Sequence, residues 1–572
     1  MLKRVFNFAH CVCFVLHGRT RIAIRVYLYD PTIYVIIMTF ELFIYYEINL
    51  TMTLINILLN VLVLCLTSTI IQARNNLNTD KLSDNVLLII IDDLRHLTDK
   101  NVKLPTIEKM AANGIMFENA FAQQALCAPS RNSMLTGRRP DSLRLYDFYS
   151  YWRDSVGNFT TLPQLFKQNG YDTYSVGKIF HPGASSNFSD DFPYSWTELP
   201  YHPTTDKYKD AAVCKDKITN KLQKNIICPV DVISQPDHTL PDLQTLDYAV
   251  NILRERRNKS RPFLLAVGFH KPHIPLKFPQ EYLERVPINK IRPPKHPNLP
   301  KAMPTVAWHP WTDVRHRDDI ARLNISFPFG TMPHEWTLDI IQSYYATAAY
   351  VDDLIGSLMR HVDLKNTVVV LTSDHGWSLG ESGLWAKYSN FDVALKVPLI
   401  FLIPGTQHNT ISLPVELIDI FPTLAEITGL GKNIPKCTKT HEIVCFEGKS
   451  LLNLVTLTEN DAGDEYFAIS QYPRPSVYPT KNSDKPKLKN IKIMGYSIRT
   501  NYYRYTEWVS FNNTLFTIDW NKLYGLELYD HITDPYEAHN VVSKLKYRRI
   551  RKQLSKLLRE SVGQRRNKNV IT

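Results

Sequence analysis

Four short segments gather residue types that handle anions and hard cations. Asp92-Asp93, Gly177-Lys178 with His181, His270 with His273, and Asp374-His375 each follow an apolar run. Asp92, Asp93 and Asp374 offer oxygen donors, which suit Ca2+ or Mg2+ better than a soft metal. Carboxylates brought together repel one another unless a cation lies between them. Singly, each residue has an ordinary explanation: an aspartate after a strand caps the next helix, and a lysine or histidine is a surface charge or a bonded core ring. Four placements of one kind point instead to a metal site that handles an anion. Cys127 stands apart, in Cys127-Ala128-Pro129-Ser130-Arg131 ahead of Leu135-Thr136-Gly137. On its own it reads as a buried free thiol.

These side chains need a frame. Residues 86–91 form a continuous apolar run, the pattern of a strand buried on both faces. Residues 173–176, 263–269, 367–372 and 397–403 read the same way. Residues 342–361 form a helix with Val351, Leu354, Ile355, Leu358 and Met359 on one face. Strands separated by helices imply an α/β fold with a mostly parallel sheet. Such sheets bind ligands beyond the carboxyl ends of their strands, where all four segments fall. Past Cys445 the texture changes. Residues 491–498 and 502–509 are β-rich and joined through 499–501 as a hairpin, and a basic helix over 538–560 closes the chain. The expected division is 1–73 leader, 80–448 main domain and 449–572 a smaller α+β domain with an antiparallel sheet.

The chain has 572 residues, 44% hydrophobic and 21% charged, ample for one large core and a second domain. Its net charge is +12. A basic body suits a polyanion or a generally soluble surface. No zinc finger, RNA-binding signature or basic recognition helix accompanies the charge, so a nucleic-acid partner is not expected. Residues 54–71 are almost wholly apolar, long enough to span a membrane or to form the core of a signal peptide. With Met52 just ahead, we read a signal peptide starting there, with a signal anchor as the alternative; once the leader is cleaved, no stable membrane association is expected. Cys214 with Cys228, and Cys437 with Cys445, each flank a short loop and would close as local disulfides. That leaves Cys127 unpaired. Sequons at Asn158, Asn187, Asn258, Asn324 and Asn512 fit the same secretory route.

The Cys127–Arg131 motif with Leu135-Thr136-Gly137 resembles the signature of the sulfatase family. Gly170-Tyr171-Asp172-Thr173 followed by Gly177-Lys178 resembles its second element. Phe121–Ala125, Gly137–Asp141, His270–Pro275, Trp385–Asp392, Ser470–Pro475, Ile493–Thr500 and Tyr503–Thr506 resemble the subgroup acting on the 2-sulfate of terminal iduronate in heparan and dermatan sulfate. The resemblance implies the sandwich fold that sulfatases share with alkaline phosphatase, and a lysosomal or secreted hydrolase of sulfated glycosaminoglycan. It also implies that a formylglycine-generating enzyme oxidises Cys127 to formylglycine.

One hydroxyl of the hydrated aldehyde would attack sulfur and displace the sugar alcohol; the second lets carbonyl reformation expel sulfate. By the same resemblance Asp92, Asp93, Cys127, Asp374 and His375 hold one divalent cation, Ca2+ before Mg2+. Arg131 steadies the diol, and Lys178 and Lys387 neutralise sulfate. His270 is the expected acid on the leaving oxygen and His181 the expected base. Arg474, or else Arg499, is expected to bind the uronate carboxylate. Two departures from the broad family pattern stand out. Lys178 and His181 are three residues apart rather than two, and His375 occupies a position where many members have asparagine. The competing readings are a sulfatase of other glycan specificity, an alkaline-phosphatase-type phosphoesterase, and an inactive glycan-binding protein.

Overall fold

The structure, a computed structural model, describes residues 85–96, 102–432, 434–437, 442–456 and 466–563, with three short strands nearer the start. Two units are resolved, Met1–Asp80 and Lys81–Thr572. In the first, Phe14–Val15, Ile22–Arg25 and Thr39–Leu42 pair antiparallel in that order. Met52 and the apolar stretch 54–71 lie outside the described residues. Among the described residues no helix is long and apolar enough to cross a membrane.

The second unit is built on seven strands: β1 (Asn85–Asp92), β2 (Ile115–Phe121), β3 (Asp172–Gly177), β4 (Phe263–Pro272), β5 (Thr367–Ser373), β6 (Lys396–Leu402) and β7 (Asn409–Glu416). Their order across the sheet is β7-β2-β6-β5-β1-β4-β3. β1 sits between β5 and β4, parallel to both, with Val86 to Ile91 fully buried. Its apolar side chains on both faces are what a central parallel strand requires.

β6, read from its apolar run as another parallel strand, instead runs antiparallel to both β5 and β2. The link from β5 stays on the sheet edge that β5 exits, so the next strand must run back from there. Six of the seven strands therefore point the same way, and their carboxyl ends share one edge.

Three helices matter for the site: α1 (Cys127–Thr136), α2 (Pro241–Arg256) and α3 (His334–Met359). α3 begins eight residues before its expected start, directly after Pro333, a residue well suited to a helix entry. It packs on α2 and β4. The C-terminal sheet is a four-strand antiparallel meander, β8 (Ala468–Arg474), β9 (Ile493–Arg499), β10 (Tyr503–Asn512) and β11 (Thr517–Asp530). The expected hairpin turns slightly later than read, pairing Arg499 with Arg504. α4 (Arg548–Gly563) covers this sheet and shares a separate apolar core with it; the helix starts ten residues later than expected, because residues 538–547 are mostly irregular.

β8 is stitched to the main sheet: Gln471 N–H donates to Gln123 O at 2.8 Å and Ser470 Oγ to Ala122 O at 2.6 Å. Disulfides join Cys214 to Cys228 and Cys437 to Cys445, and Cys127 is the free thiol among the described residues. All five sequon asparagines after the leader are exposed.

Candidate active site

Every residue of α1 is buried although it carries Ser130, Arg131, Asn132, Ser133 and Thr136. Most of these polar groups have partners within the protein. Asn132 Nδ2 donates to Ala128 O and Thr136 Oγ1 to Asn132 O, while Trp152 Nε1 donates to Asn132 Oδ1. Gly137 ends the helix in the left-handed region at φ 63°, a position suited to glycine. Cys127 is its first residue, so its side chain meets the positive end of the helix dipole.

Around Cys127 Sγ lie Lys387 Nζ at 3.1 Å, His375 Nε2 at 3.4 Å and Asp93 Oδ1 at 3.9 Å. Asp93, just past β1, takes φ 65°. Its N–H donates to Asp374 Oδ1 at 3.0 Å. Lys387 Nζ donates to Asp93 Oδ1 at 2.7 Å. Ala386 and Tyr388, on either side of Lys387, both have positive φ, 68° and 72°. That conformation is strained for residues with a Cβ, and such strain clusters at functional sites.

Arg131 Nε donates to Asp374 Oδ2 at 2.8 Å and its Nη2 to Asp92 Oδ1 at 3.1 Å. Its Nη1 reaches the carbonyls of Lys178 and Ile179. Lys178 Nζ lies 2.5 Å from Asp92 Oδ2. Close contact between β3 and β4 sets Lys178. A Cβ on Gly268 would fall 2.0 Å from Lys178 O, and one on Gly177, at φ +75°, would fall 2.2 Å from Gly268 O.

Burial raises the cost of each charge here, and the neighbours decide the outcome. Burial works against ionised Asp92, but Lys178, His273, Arg131 and Lys387 hold it well below the usual carboxylate range. Burial pushes Asp93 upward, and Asp92 and Asp374 add repulsion that Lys387 and His375 do not offset. Burial pushes the Cys127 thiol up to about 12 against the pull of Lys178 and Lys387.

His375 donates through Nδ1 to Gly376 O at 3.0 Å, leaving the Nε2 lone pair toward Cys127, Asp93 and Asp374. Ligand atoms of Asp93, Cys127, Asp374 and His375 lie within 4.8 Å of one another. Asp93 Oδ2 is buried with no hydrogen-bond partner. An orphaned carboxylate oxygen in a cluster of two carboxylates, an imidazole and the Cys127 side chain fits a divalent cation.

Three expected roles do not match the geometry. His270 turns away from the cluster, with Nδ1 3.4 Å from Asp242 Oδ1 and Nε2 3.8 Å from Asp206 Oδ1. His273 faces it instead, with Nε2 4.0 Å from Asp93 Oδ2 and Nδ1 against Ile274 O at 2.7 Å. The signal for this was present: residues three apart on an extended segment fall on opposite faces. Arg474 is 1% exposed and directs its donors at the carbonyls of Val306, Ala307, Tyr388, Pro473 and Ser483. None is left for substrate. Arg499 is likewise engaged, with its Nε 2.9 Å from Asp392 Oδ2. His181 lies against Phe148, ring centroids 4.5 Å apart and tilted by 39°, and its buried Nδ1 has no partner. Burial, then Lys178, hold it well below the usual imidazole range.

The sulfatase family profile matches residues 84–430. The chain belongs to the sulfatase family. Like others of the family, this sulfatase is a sulfuric ester hydrolase. It is 46% identical to human iduronate 2-sulfatase over 516 residues, covering 82% of this chain and 92% of that relative. It is also 26% identical to dog arylsulfatase K, over 80% of this chain and 79% of the relative. Two solved structures share the fold. One is BT4656 bound to its substrate D-glucosamine-2-N,6-O-disulfate, with TM-score 0.61, 20% identity and coverage of 85% of this chain and 99% of that one. The other is a phosphonate monoester hydrolase from Silicibacter pomeroyi, with TM-score 0.62, 20% identity and coverage of 85% and 96%.

Proposed function

We propose that this sulfatase hydrolyses the 2-sulfate ester of terminal iduronate in heparan and dermatan sulfate, acting from the non-reducing end after Cys127 is oxidised to formylglycine. The observation that carries the chemistry is the setting of Cys127. A thiol held near 12 is no nucleophile at neutral or acid pH. Yet it stands at a helix N-terminus beside the Lys387 ammonium. The helix end and Lys387 stand where charge would develop on an oxygen at position 127 as it takes up the sulfuryl group. The identity of 46% across 92% of human iduronate 2-sulfatase supports the choice of sugar.

When bound, one divalent cation, which we take as Ca2+, would be held by Asp92, Asp93, Asp374, His375 and the side chain at 127, and would draw charge from the sulfate oxygens. Lys387 and Lys178 neutralise the sulfate as its charge grows, and Arg131 fixes both Asp92 and Asp374 while steadying the oxidised side chain. His273, in place of His270, is our candidate acid on the departing sugar oxygen; burial, then Lys209, hold its ring well below the usual imidazole range in the free site, so the role requires the incoming substrate anions to bring a proton onto Nε2. His181 stays our candidate for the proton released in the second step, since its ring is neutral and its Nδ1 unpartnered. Residues 80–448 carry the chemistry and 449–572 complete the pocket. The sequons and paired cysteines support a lysosomal or secreted protein.

The test has two arms. Peptide mass spectrometry over residues 120–140 should find formylglycine in place of cysteine. The purified enzyme should cleave a fluorogenic 2-sulfated iduronide and leave the matching phosphate ester largely intact. An unmodified thiol in fully active enzyme, or a preference for phosphate, would overturn the proposal.

A further inference from the structure

An iduronate 2-sulfate carries two anions, and C2 and C5 lie across the pyranose ring from one another. A cation that reads the carboxylate must therefore stand a ring's width from the nucleophile. The cations nearest Cys127 are committed: Lys387 to Asp93, Lys178 to Asp92, and Arg131 to Asp92 and Asp374. Further out, Lys271 donates to His273 O and Pro275 O, Lys277 to Tyr208 O, and Lys485 pairs with Asp313.

Lys209 differs. Among the described residues its ammonium makes no hydrogen bond or ion pair. It lines one cavity with Asp92, Asp206, Asp242, His270 and His273, next to the reaction centre. The charge of Lys209 acts on both His273 and His181. Its own charge feels Lys178, Asp92 and Cys127. It thus faces the centre without touching it.

The backbone beneath Lys209 is fixed. Thr204–Tyr208 is a short 3-10 helix, Lys209 N–H donates to Asp206 O at 2.9 Å, and Lys277 Nζ holds Tyr208 O at 3.1 Å. Gln244 Oε1 accepts from Thr205 N–H at 3.1 Å and from its hydroxyl at 2.7 Å. An unpaired, half-buried ammonium on a rigid segment beside the reaction centre is a preorganised anion subsite.

We propose that Lys209 is the specificity-determining residue that binds the C5 carboxylate of the terminal uronate. This rests on the substrate reading above and assigns to Lys209 the task the sequence had suggested for Arg474.

The experiment compares the parent enzyme with Lys209→Met and Lys209→Arg. The substrates are a fluorogenic 2-sulfated iduronide and its analogue with the carboxylate reduced to a hydroxymethyl group. Lys209→Met should lower kcat/KM on the uronide at least ~10-fold more than on the reduced analogue, mostly through KM. Lys209→Arg should recover most of that loss. A disaccharide pair with and without a 6-sulfate on the neighbouring glucosamine identifies the anion. If the Lys209→Met loss appears only with the 6-sulfate, the carboxylate assignment is overturned. If both glycosides slow equally in Lys209→Met, Lys209 acts only on the centre and the assignment fails while the substrate reading stands. If the parent enzyme cleaves neither glycoside, the substrate reading itself fails and the assignment with it.

Discussion

Arg474 offers a sharp test, because its motif and its surroundings predict opposite phenotypes. A guanidinium that read the substrate would, when removed, change selectivity and leave stability alone. In the structure Arg474 instead binds five carbonyls from four stretches of chain and lies fully buried. Burial holds it down to about 10, and no carboxylate is hydrogen-bonded to it. Arg474→Met strands those carbonyls, and each buried unsatisfied polar group costs about 1–3 kcal/mol. Loss of a poorly compensated buried charge offsets part of this. A net destabilisation of about 3–5 kcal/mol results, in line with breaking a buried network. At an unfolding entropy of about 2.1 cal/mol/K per residue, a body near 490 residues has about 1 kcal/mol/K, so Tm should fall by about 3–5 °C.

One of the carbonyls belongs to Tyr388, held at 2.7 Å next to Lys387. Activity should therefore fall on every substrate together, with no change in the ratio of uronide to carboxyl-reduced analogue. Differential scanning calorimetry and the two glycoside assays measure both effects. An Arg474→Met enzyme with an unchanged melting point and a selective loss on the uronide would show that the guanidinium reads the carboxylate after all.

Three further outcomes follow from the site and the β7 end of the sheet. His273→Ala should reduce kcat by about 10²–10⁴, the usual contribution of a general acid, and His270→Ala by clearly less; equal losses would restore His270 to the role. Asp93→Asn removes the orphaned carboxylate oxygen, so the variant should lose the Ca2+-induced rise in thermal stability expected of the parent, about 2.7 kcal/mol at a hundredfold excess over Kd; an unchanged rise would place the cation elsewhere. Burial, then Glu416, raise Asp419 to about 7. The folded state then keeps a proton that the unfolded chain releases near pH 4, so this group withdraws stability as pH climbs from about 4 to about 7, by at most ~1.4 kcal/mol per unit. Asp419→Asn should flatten that decline in urea titrations across this range, and an unchanged slope would rule the group out.

What the sequence made legible follows local periodicity. β1, β3, β4 and β5 announced themselves because strands buried on both faces are apolar without interruption, and the acids and lysine beyond them could be read straight off. β2 and β7 stayed hidden, since Ile115–Phe121 carries Glu118 and Asn119, while Asn409–Glu416 carries Asn409, Thr410, Ser412 and a proline. The direction of β6 was also unreadable, because an apolar run fixes burial and not polarity. At the site, residue types could be read but orientations could not. His270 and His273 are both histidines near a strand end, and only the backbone path decides which ring meets Asp93. Arg474 shows the same limit from the other side: a motif arginine says nothing of whether its donors are already taken. Lys209 lies in a segment with no apolar periodicity, and its lack of partners exists only in three dimensions.

Charge balance at the centre explains why so many ionised groups tolerate burial together. Asp92, Asp93 and Asp374 face Arg131, Lys178 and Lys387, three acids against three cations, all nearly inaccessible to water. Such a cluster is neutral overall, but unevenly so: Arg131 and Lys178 crowd toward Asp92, which leaves Asp93 raised and one of its oxygens without a partner. A divalent cation held by Asp93 and its neighbours would relieve that carboxylate and would bring the centre two positive charges. A sulfate monoester brings one negative charge and an ionised oxygen nucleophile brings the other, so the reacting complex returns to neutrality within a low-dielectric site. A phosphate monoester, doubly charged near neutral pH, would leave one uncompensated buried charge, which is costly in such surroundings. The number of buried acids and bases around Cys127 thus disfavours a dianionic ester before any contact with the sugar is made.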